Sequence, residues 1–382
     1  MYENFFNYIF AVIFPFGQDG WKVLSLVSVI FAFKYFNLWK KDKIIISIFI
    51  FLIYGLILAI FSADIISNFE EIQNYFIGWL LPFLLGHAVI DDKNKTNILK
   101  IYIYTFSIII LISFLAYFNI IPYRLGYMTF IRDNRLAVLL AWHTVFGCKC
   151  GFIFAMLITL FIFKKNIDYS ILILSVIFFI AILLSGTRSA YIGIFAAFVL
   201  MTGYYVYSRC LFKKIFTITF LFLTLFLLIY NTNPYLHERI NKTSLTKEKS
   251  LTQRIEMYKF GINLISKSEY TKLLFGFGPS NSVKQDGNIN NLGHFHNIYL
   301  QIFLDFGMIG FIFFILILFF ILKKSICLYN QTKSNLFLML IFAWIAILIS
   351  ELFDCTLRNQ FFAGQCFWIT GLVLGSTKTD KN

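Results

Sequence analysis

Charged residues are scarce in this sequence, because Asp, Glu, Lys and Arg together make up only 14% of the 382 residues. A soluble domain needs a larger polar fraction, since water must solvate its folded exterior. Cysteine is also rare, with six residues. Its scattered positions argue against a disulfide framework, and we expect Cys148 and Cys150 to be packing residues. Hydrophobic residues make up 59% of the chain, so the expected solvent for most of it is a lipid bilayer.

The motifs of metal- and nucleotide-dependent enzymes are missing as well. The sequence has no DxD pair, no Walker-type loop and no Gly-rich nucleotide loop. His294 and His296 have an i, i+2 spacing, but no further His or Cys partner accompanies them. We therefore expect no metal site and no cofactor.

The net charge of +14 could indicate nucleic-acid binding, but the placement of the lysines predicts a membrane topology instead. Small lysine clusters separate the apolar runs, and such clusters mark cytoplasmic loops. The clusters are Lys40, Lys41 and Lys43; Lys93 and Lys95; Lys164 and Lys165; Lys213 and Lys214; Lys323 and Lys324. No basic tail or aromatic-basic segment lies outside the apolar runs, so we expect no nucleic-acid partner.

Apolar runs close to the roughly 20 residues that cross a hydrocarbon core recur along the chain. We predict twelve transmembrane helices, at 4–16, 22–38, 44–62, 73–90, 98–118, 146–163, 168–186, 189–208, 215–231, 297–322, 335–352 and 361–376. A cytoplasmic N-terminus puts every lysine cluster on the cytoplasmic side and leaves the C-terminus there too. The N-terminus has no basic n-region or cleavage site, so the short first run is expected to be retained.

The predicted fold is an all-α integral membrane protein with one extracytoplasmic helical loop domain. Residues 1–231 hold spans one to nine, 232–296 form the large loop, and 297–382 hold spans ten to twelve and a short cytoplasmic tail. A helical stripe predicts an amphipathic helix inside the loop. The stripe consists of Leu251, Ile255, Tyr258, Ile262 and Ile265. We expect this helix to lie on the membrane surface or on the other spans.

Arginines on the predicted outer face are exceptions to the positive-inside pattern. Arg188 lies in a short turn between two spans, Arg254 lies near the start of the loop helix, and Arg358 precedes the last span. Arg188 could snorkel to lipid phosphates, and Arg254 could be a solvated helix charge. Each could equally grip a phosphate group bidentately near the membrane plane. The residues alone leave these alternatives open.

The tenth predicted span begins at His296-Asn297 on the outer face. The free N–H groups and the positive dipole end of its helix favour an anionic group there. An imidazole can exchange a proton near neutral pH, although a plain N-cap or interface histidine is the alternative. Asn297 could orient this histidine or cap the helix. Asp305 would lie about 13 Å further along the helix, where we expect a buried structural partner.

These residues resemble the O-antigen ligase and polymerase superfamily of bacterial envelope enzymes. The ligase motif of that family is His followed by Asn, Ser or Gln, nine residues and Gly-x-x-Gly. Here His296-Asn297, nine residues and Gly307-Met308-Ile309-Gly310 match its spacing. The predicted topology is also similar over nearly the full length.

Three further segments are similar to the family's pattern. The turn 185–190 resembles its short arginine-bearing outer loop, and Gln253-Arg254 resembles the arginine at the start of its large-loop helix. The segment 135–147, which starts at Arg135 and contains His143, looks like a looser family segment.

The resemblance implies transfer of a glycan from an undecaprenyl-pyrophosphate carrier to an acceptor hydroxyl, which for an O-antigen ligase is a sugar of lipid A–core. It implies an inverting, metal-independent glycosyltransferase of the bacterial inner membrane with a periplasmic active site. His296 would be the general base. Arg188 and Arg254 would hold the pyrophosphate with Arg135 as a third candidate, and Asn297 would support the histidine.

Other activities stay open at this point. An O-antigen polymerase, which joins two lipid-linked repeat units, and a protein-glycosylating ligase share the superfamily. A lipid-linked glycan transporter is the alternative from another class. Transporters place ionisable residues near the middle of the membrane, whereas the polar groups here cluster at the predicted outer face. The His-Asn-x9-Gly-x-x-Gly spacing favours the ligase.

Overall fold

The computed structural model describes residues 2–16, 39–62, 64–89, 91–125, 128–132, 134–137, 142–164, 166, 168–209, 212–234, 236–237, 249–285 and 293–375. The first half holds α1 (Tyr2–Ile13), α2 (Lys43–Ile60), α3 (Ile65–Tyr75), a π-helical segment (Phe76–Leu80), α4 (Leu81–His87), α5 (Asp92–Tyr117) and α6 (His143–Phe163). The second half holds α7 (Tyr169–Ser185), α8 (Arg188–Arg209), α9 (Phe212–Thr232), α10 (Lys249–Lys267), α11 (Tyr270–Phe275), α12 (Ile298–Thr332), α13 (Asn335–Ser350) and α14 (Gln360–Leu374).

Six of these helices, α2, α5, α6, α8, α9 and α12, are long and apolar enough to cross a membrane. Four more apolar helices are shorter, at Asn4–Ile13, Tyr169–Ser185, Asn335–Ser350 and Gln360–Leu374. The predicted span 22–38 lies outside the described residues, and the predicted span 73–90 is divided among the end of α3, the π-helical segment and α4. The protein is therefore a helical membrane protein, and the number of twelve spans stays a prediction.

The most deeply buried of the long helices is α6. Within its most apolar stretch of 18 residues, 94% is buried inside the protein. It contacts α7, α8 and α13, while α2 packs against α12 and α4 packs against α14. By contrast, only 11% of the most apolar 18-residue stretch of α9 is buried. Most of the apolar surface of α9 is thus left to face lipid, as expected where the solvent is hydrocarbon.

The all-α fold that the sequence predicted is confirmed, and two short hairpins lie in the segment between α5 and α6. Strands β1 (Arg124–Leu125) and β2 (Met128–Thr129) pair antiparallel, as do β3 (Ile131–Arg132) and β4 (Arg135–Leu136). Strands of two residues leave no alternating pattern that a sequence reading could detect. The guanidinium of Arg132 in β3 lies 3.5 Å from the ring centroid of Trp142, the residue before α6. This cation–π contact joins the segment to the start of α6.

A kink at Gly307 interrupts the hydrogen bonding of α12, where φ is 67° and ψ is −173°. The freed carbonyl groups find other donors: Phe277 N–H donates to Leu304 O at 2.9 Å, and Gly278 N–H donates to Asp305 O at 3.0 Å. The Tyr54 hydroxyl donates to Phe306 O at 3.0 Å. Backbone groups inside a membrane protein must be paired in this way, because lipid supplies no hydrogen bonds.

Substitution of Gly307 by alanine is expected to destabilise the protein. A Cβ at this position would lie 2.3 Å from the carbonyl oxygen of Leu274, and residues other than glycine rarely adopt this backbone conformation. We expect a loss of about 1–3 kcal/mol, measured as a lower unfolding temperature in detergent. Gly203→Ala in α8 is the matched control, because a Cβ there meets nothing within 4 Å. An unfolding temperature for Gly307→Ala equal to that of the control would contradict this account.

The buried face of α10 differs from the predicted stripe. Met257 and Phe260 form a small core with Phe295 and Leu304, whereas Ile262 of the predicted stripe is 62% exposed. The reason is the close approach at Gly261, where an added Cβ would lie 2.9 Å from Leu300 of α12. The helix therefore docks on the first turns of α12 through Met257, Phe260 and Gly261, while Ile265 of the predicted stripe packs against the same core.

Candidate active site

A cavity of about 620 Å³ opens where α12 begins, between the α5–α6 segment, α10 and the turn after α13. Its size is typical of small-molecule sites. Its wall contains acidic, basic and histidine side chains. They are Glu71, Asp354, Arg135, Arg254, Arg358, His143, His294 and His296. Three of the residues expected from the sequence, His296, Arg254 and Arg135, thus line one cavity.

His296 is held in a left-handed backbone conformation, with φ of 54°, immediately before α12. Its carbonyl oxygen accepts a hydrogen bond from the Tyr258 hydroxyl at 2.9 Å. The next residue, Asn297, is the N-cap of α12, because its side chain accepts from the backbone N–H of Leu300 at 3.0 Å. Left-handed non-glycine residues cluster at functional sites.

Asn297 acts on the helix and the turn after α13 and does not line the cavity. Besides its capping bond, its side-chain amide donates to Leu352 O at 3.1 Å. Ile298 N–H lies 3.1 Å from the carbonyl oxygens of both Glu351 and Asp354. Of the two roles considered for Asn297, the structure shows the cap.

Asp354 is a buried carboxylate at the centre of the cavity wall, with 7% of its side chain exposed. Its Oδ1 lies 3.8 Å from His296 Nδ1, and its Oδ2 lies 3.8 Å from an Arg254 terminal nitrogen. Burial alone would raise the pKa of Asp354, but the imidazole of His296 and the charge of Arg254 outweigh burial and lower this pKa. Asp354 is therefore ionised at neutral pH, between an imidazole and a guanidinium.

His294 lies beside His296, with ring centroids 4.1 Å apart and perpendicular planes. Burial, together with His296, lowers the pKa of His294 to about 4. His294 is consequently a neutral imidazole at physiological pH. It adds no positive charge to the cavity and packs against the ring of His296.

Arg254 and Arg135 supply guanidinium groups from two different elements, α10 and β4. The Arg254 side chain is 19% exposed, and its Nε is buried without a hydrogen-bond partner among the described residues. Arg135 contacts the ring of His143, the first residue of α6, through a short nitrogen–nitrogen approach. The cavity wall therefore carries one guanidinium from each of these two elements.

Arg188, which the sequence analysis paired with Arg254 as a pyrophosphate ligand, is half-buried at the start of α8 and does not line the cavity. Its two neighbours do contact residues of the wall. Thr187 Oγ1 donates to His143 O at 3.0 Å, and Ser189 Oγ donates to the Asp354 carboxylate at 3.4 Å. The turn that carries Arg188 is thus part of the support behind the cavity.

Arg358 forms a structural ion pair rather than a free cation. It donates to both carboxylate oxygens of Glu71, with a distance of 3.0 Å for the Nη2 bond. It also donates to Gly293 O at 2.7 Å and to Ser280 Oγ at 2.9 Å. The charge of Glu71 outweighs burial and raises the pKa of Arg358 above its ordinary value. This pair joins α3 to the loops that precede α12 and α14.

The sequence reading missed Asp354, Glu71 and the contact of His143 with Arg135. Asp354 and Glu71 each lie within a few residues of the end of an apolar run. A carboxylate at such a position is costly without a cation. This cost was the feature of the sequence that could have pointed to both residues. Within the described ranges, no group of three His, Cys, Asp or Glu side chains is arranged to hold a metal ion.

Together, the cavity holds a histidine next to a carboxylate, with two arginines from separate elements. A histidine paired with a carboxylate can accept a proton and have the resulting charge balanced. Arginines can bind a phosphate or pyrophosphate through paired N–H donors. The arrangement is suited to a reaction in which a hydroxyl loses a proton while a phosphate group gains charge.

Comparison with known families agrees with this chemistry. Residues 173–315 match the family model described as O-Antigen ligase. The matched stretch contains Arg188, Arg254 and His296 and continues beyond the Gly307–Gly310 motif. No curated protein matches the chain. The family match supports the resemblance to the O-antigen ligase and polymerase superfamily that was drawn from the sequence, and it covers residues 173–315 of this membrane protein.

Proposed function

We propose that the protein is an O-antigen ligase of the bacterial inner membrane, with both termini in the cytoplasm and the cavity on the periplasmic side. It transfers a glycan from undecaprenyl-pyrophosphate to a sugar hydroxyl of lipid A–core. The single observation that carries the proposal is the convergence of His296, Asp354 and Arg254 in one cavity. The match to the O-Antigen ligase family model supports it.

In the proposed reaction, the acceptor hydroxyl attacks the anomeric carbon of the carrier-linked sugar. A new carbon–oxygen bond forms to the acceptor, and the bond between the anomeric carbon and the pyrophosphate oxygen breaks. His296 takes the hydroxyl proton, and Asp354 balances the imidazolium charge that results. One displacement inverts the anomeric configuration. The pyrophosphate leaving group is already activated, so the reaction needs neither a nucleotide nor, in this proposal, a metal.

The leaving pyrophosphate gains negative charge as the bond breaks, and the arginines stabilise that charge. Arg254 is the principal candidate because it lines the cavity and its Nε has no hydrogen-bond partner among the described residues. Arg135 lines the same cavity. Arg188 remains part of the proposal as a further cation, on the turn whose neighbouring residues contact the cavity wall. The N-terminus of α12 adds its helix dipole.

Arg254→Lys is expected to lower glycan transfer by about tenfold or more and to raise the KM for the lipid-linked donor. Lysine keeps the charge but loses the planar fork that binds phosphate bidentately. Rates and KM values in purified enzyme are the measurement. Arg188→Lys is tested in parallel and is expected to lower transfer too. Unchanged turnover and donor binding in either variant would remove that arginine from the pyrophosphate site.

The proposed activity is tested by mixing purified protein with lipid-linked glycan and lipid A–core and separating the glycolipids on a gel. A ligase attaches glycan to lipid A–core. In cells, deletion of a ligase gene removes all glycan from lipid A, whereas deletion of a polymerase leaves a single repeat attached. Lengthened lipid-linked glycan, glycosylated protein or transport of the carrier without transfer would instead favour the polymerase, the protein-glycosylating ligase or the transporter.

A further inference from the structure

A second cavity, of about 460 Å³, lies beside the candidate active site and shares no lining residue with it. The loop after α11 separates the two. Ser280 of this loop contacts Arg358 in the wall of the first cavity, and its neighbour Asn281 lines the second. The second cavity therefore opens at the end of the bundle that holds the candidate active site, next to the C-terminus of α2.

The second cavity is lined by more positive than negative charge. Lys284 is paired with Asp64, with Nζ 2.6 Å from the carboxylate. Lys272 also lines the cavity, and it has no acidic partner in the described part of the chain. Its ammonium group lies 5.7 Å from the ring centroid of Phe277. One lysine charge is thus left for an anionic ligand.

The rim of this cavity consists of exposed apolar side chains. Phe61, directly after α2, is 84% exposed, and Phe275, at the end of α11, is 47% exposed. Leu58 of α2 and Phe61 both line the cavity. Since α2 is long and apolar enough to span the bilayer, its last turn lies where hydrocarbon gives way to lipid headgroups. Lysine beside aromatic side chains is the composition that proteins use at this level of the membrane.

We propose that the second cavity binds a membrane lipid whose headgroup carries phosphate. Lys272 meets the phosphate, Lys284 borders the headgroup, and the acyl chains extend along Leu58 and Phe61 on the lipid-facing side of α2. The cavity and its apolar rim are continuous, so one amphiphile can occupy both. A free phosphate ion would use the lysines alone and leave the rim uncovered. This site is a lipid site, and its occupancy does not depend on glycan transfer.

The test uses the full-length protein in nanodiscs that contain phosphatidylglycerol with a photoreactive acyl chain. Crosslinks are mapped by mass spectrometry after irradiation. We expect crosslinks at residues 58–61 that unlabelled phosphatidylglycerol suppresses and diacylglycerol of the same chains does not. Lys272→Gln is expected to reduce these crosslinks about fivefold and to leave those on the lipid-facing helix α9 unchanged. Lys267→Gln is the matched control, because this exposed lysine of α10 does not line the cavity.

Three results would overturn the proposal. Equal crosslinking in Lys272→Gln and the control would show that the headgroup does not use this lysine. Suppression by diacylglycerol as strong as that by phosphatidylglycerol would show a site for hydrocarbon alone. Displacement of the photoreactive lipid by inorganic phosphate as effective as that by unlabelled lipid would identify a free-anion site instead. The readout is binding, so it stands or falls separately from the proposed ligase activity.

Discussion

His296→Ala is expected to lower glycan transfer by a factor of about 10²–10⁴, the usual contribution of a general base. The residue lines the cavity and lies 3.8 Å from Asp354. Without it, no other group in the proposed mechanism takes the proton of the acceptor hydroxyl. The measurement is the initial rate of transfer from lipid-linked glycan to lipid A–core in purified enzyme. Donor binding should change much less than the rate, because the arginines remain.

The backbone of His296 calls for a second variant. With φ at 54°, alanine adds local strain, whereas asparagine tolerates the left-handed conformation and still lacks a base. His296→Asn should therefore fold as well as the native protein and be as inactive as His296→Ala. His237→Ala is the control, since this exposed histidine lies outside the cavity. Near-native transfer by a folded His296→Asn variant would sink the assignment of His296 as base.

Asp354→Asn is expected to lower transfer about 100-fold or more. The amide keeps the shape of the side chain but removes the charge that neighbours both His296 and Arg254. Without that charge, the imidazolium formed during proton transfer loses its counter-ion, and Arg254 loses the group that orients it. Kinetics should show a lower kcat together with a raised KM for the donor. A change in neither would mean that Asp354 only stabilises the fold.

Stability against pH gives an independent readout for Asp354. Its pKa in the folded protein is lowered, while an unfolded aspartate has a pKa of about 3.9. The carboxylate therefore stabilises the fold above about pH 4, and this contribution is lost as the pH falls through the folded pKa. The difference in unfolding temperature between the native protein and Asp354→Asn should shrink on acidification. Asp168→Asn, at an exposed ion pair, is the control and should show a smaller difference at every pH.

Much of the fold followed from composition and charge placement. Apolar runs near 20 residues predicted the long helices, and α5, α6, α8, α9 and α12 lie close to the predicted ranges. The kink at Gly307 escaped prediction, because the spacing of Gly307 and Gly310 indicates a helix-packing face equally well. The conformation at Gly307 depends on Gly276 and Gly278, about 30 residues earlier in the chain. A local pattern cannot report such a distant partner.

The sequence predicted residues of the candidate site that belong to a motif. It did not predict residues that reach the site only through tertiary contacts. His296, Arg254 and Arg135 were expected and line one cavity, whereas Arg188 was expected and does not line it. Asp354 was not expected, since its importance comes from a turn that folds back onto the start of α12. Arg358 matched the description of an outer-face cation, but Glu71 occupies its guanidinium. In both cases the role of the residue depends on an oppositely charged partner that is distant in sequence.

The kink in α12 also bears on how parts of this protein can be exchanged. Two of the carbonyl groups that the kink frees accept from the backbone of Phe277 and Gly278, and the third accepts from Tyr54 of α2. The segment 274–278 and the first turns of α12 therefore form one unit, with the His296 backbone at its edge. A chimera that replaces α12 with that of a relative should fold only when this segment is exchanged with it. Domain swaps intended to alter acceptor choice must accordingly cut before α11, not at the boundary of the membrane helix.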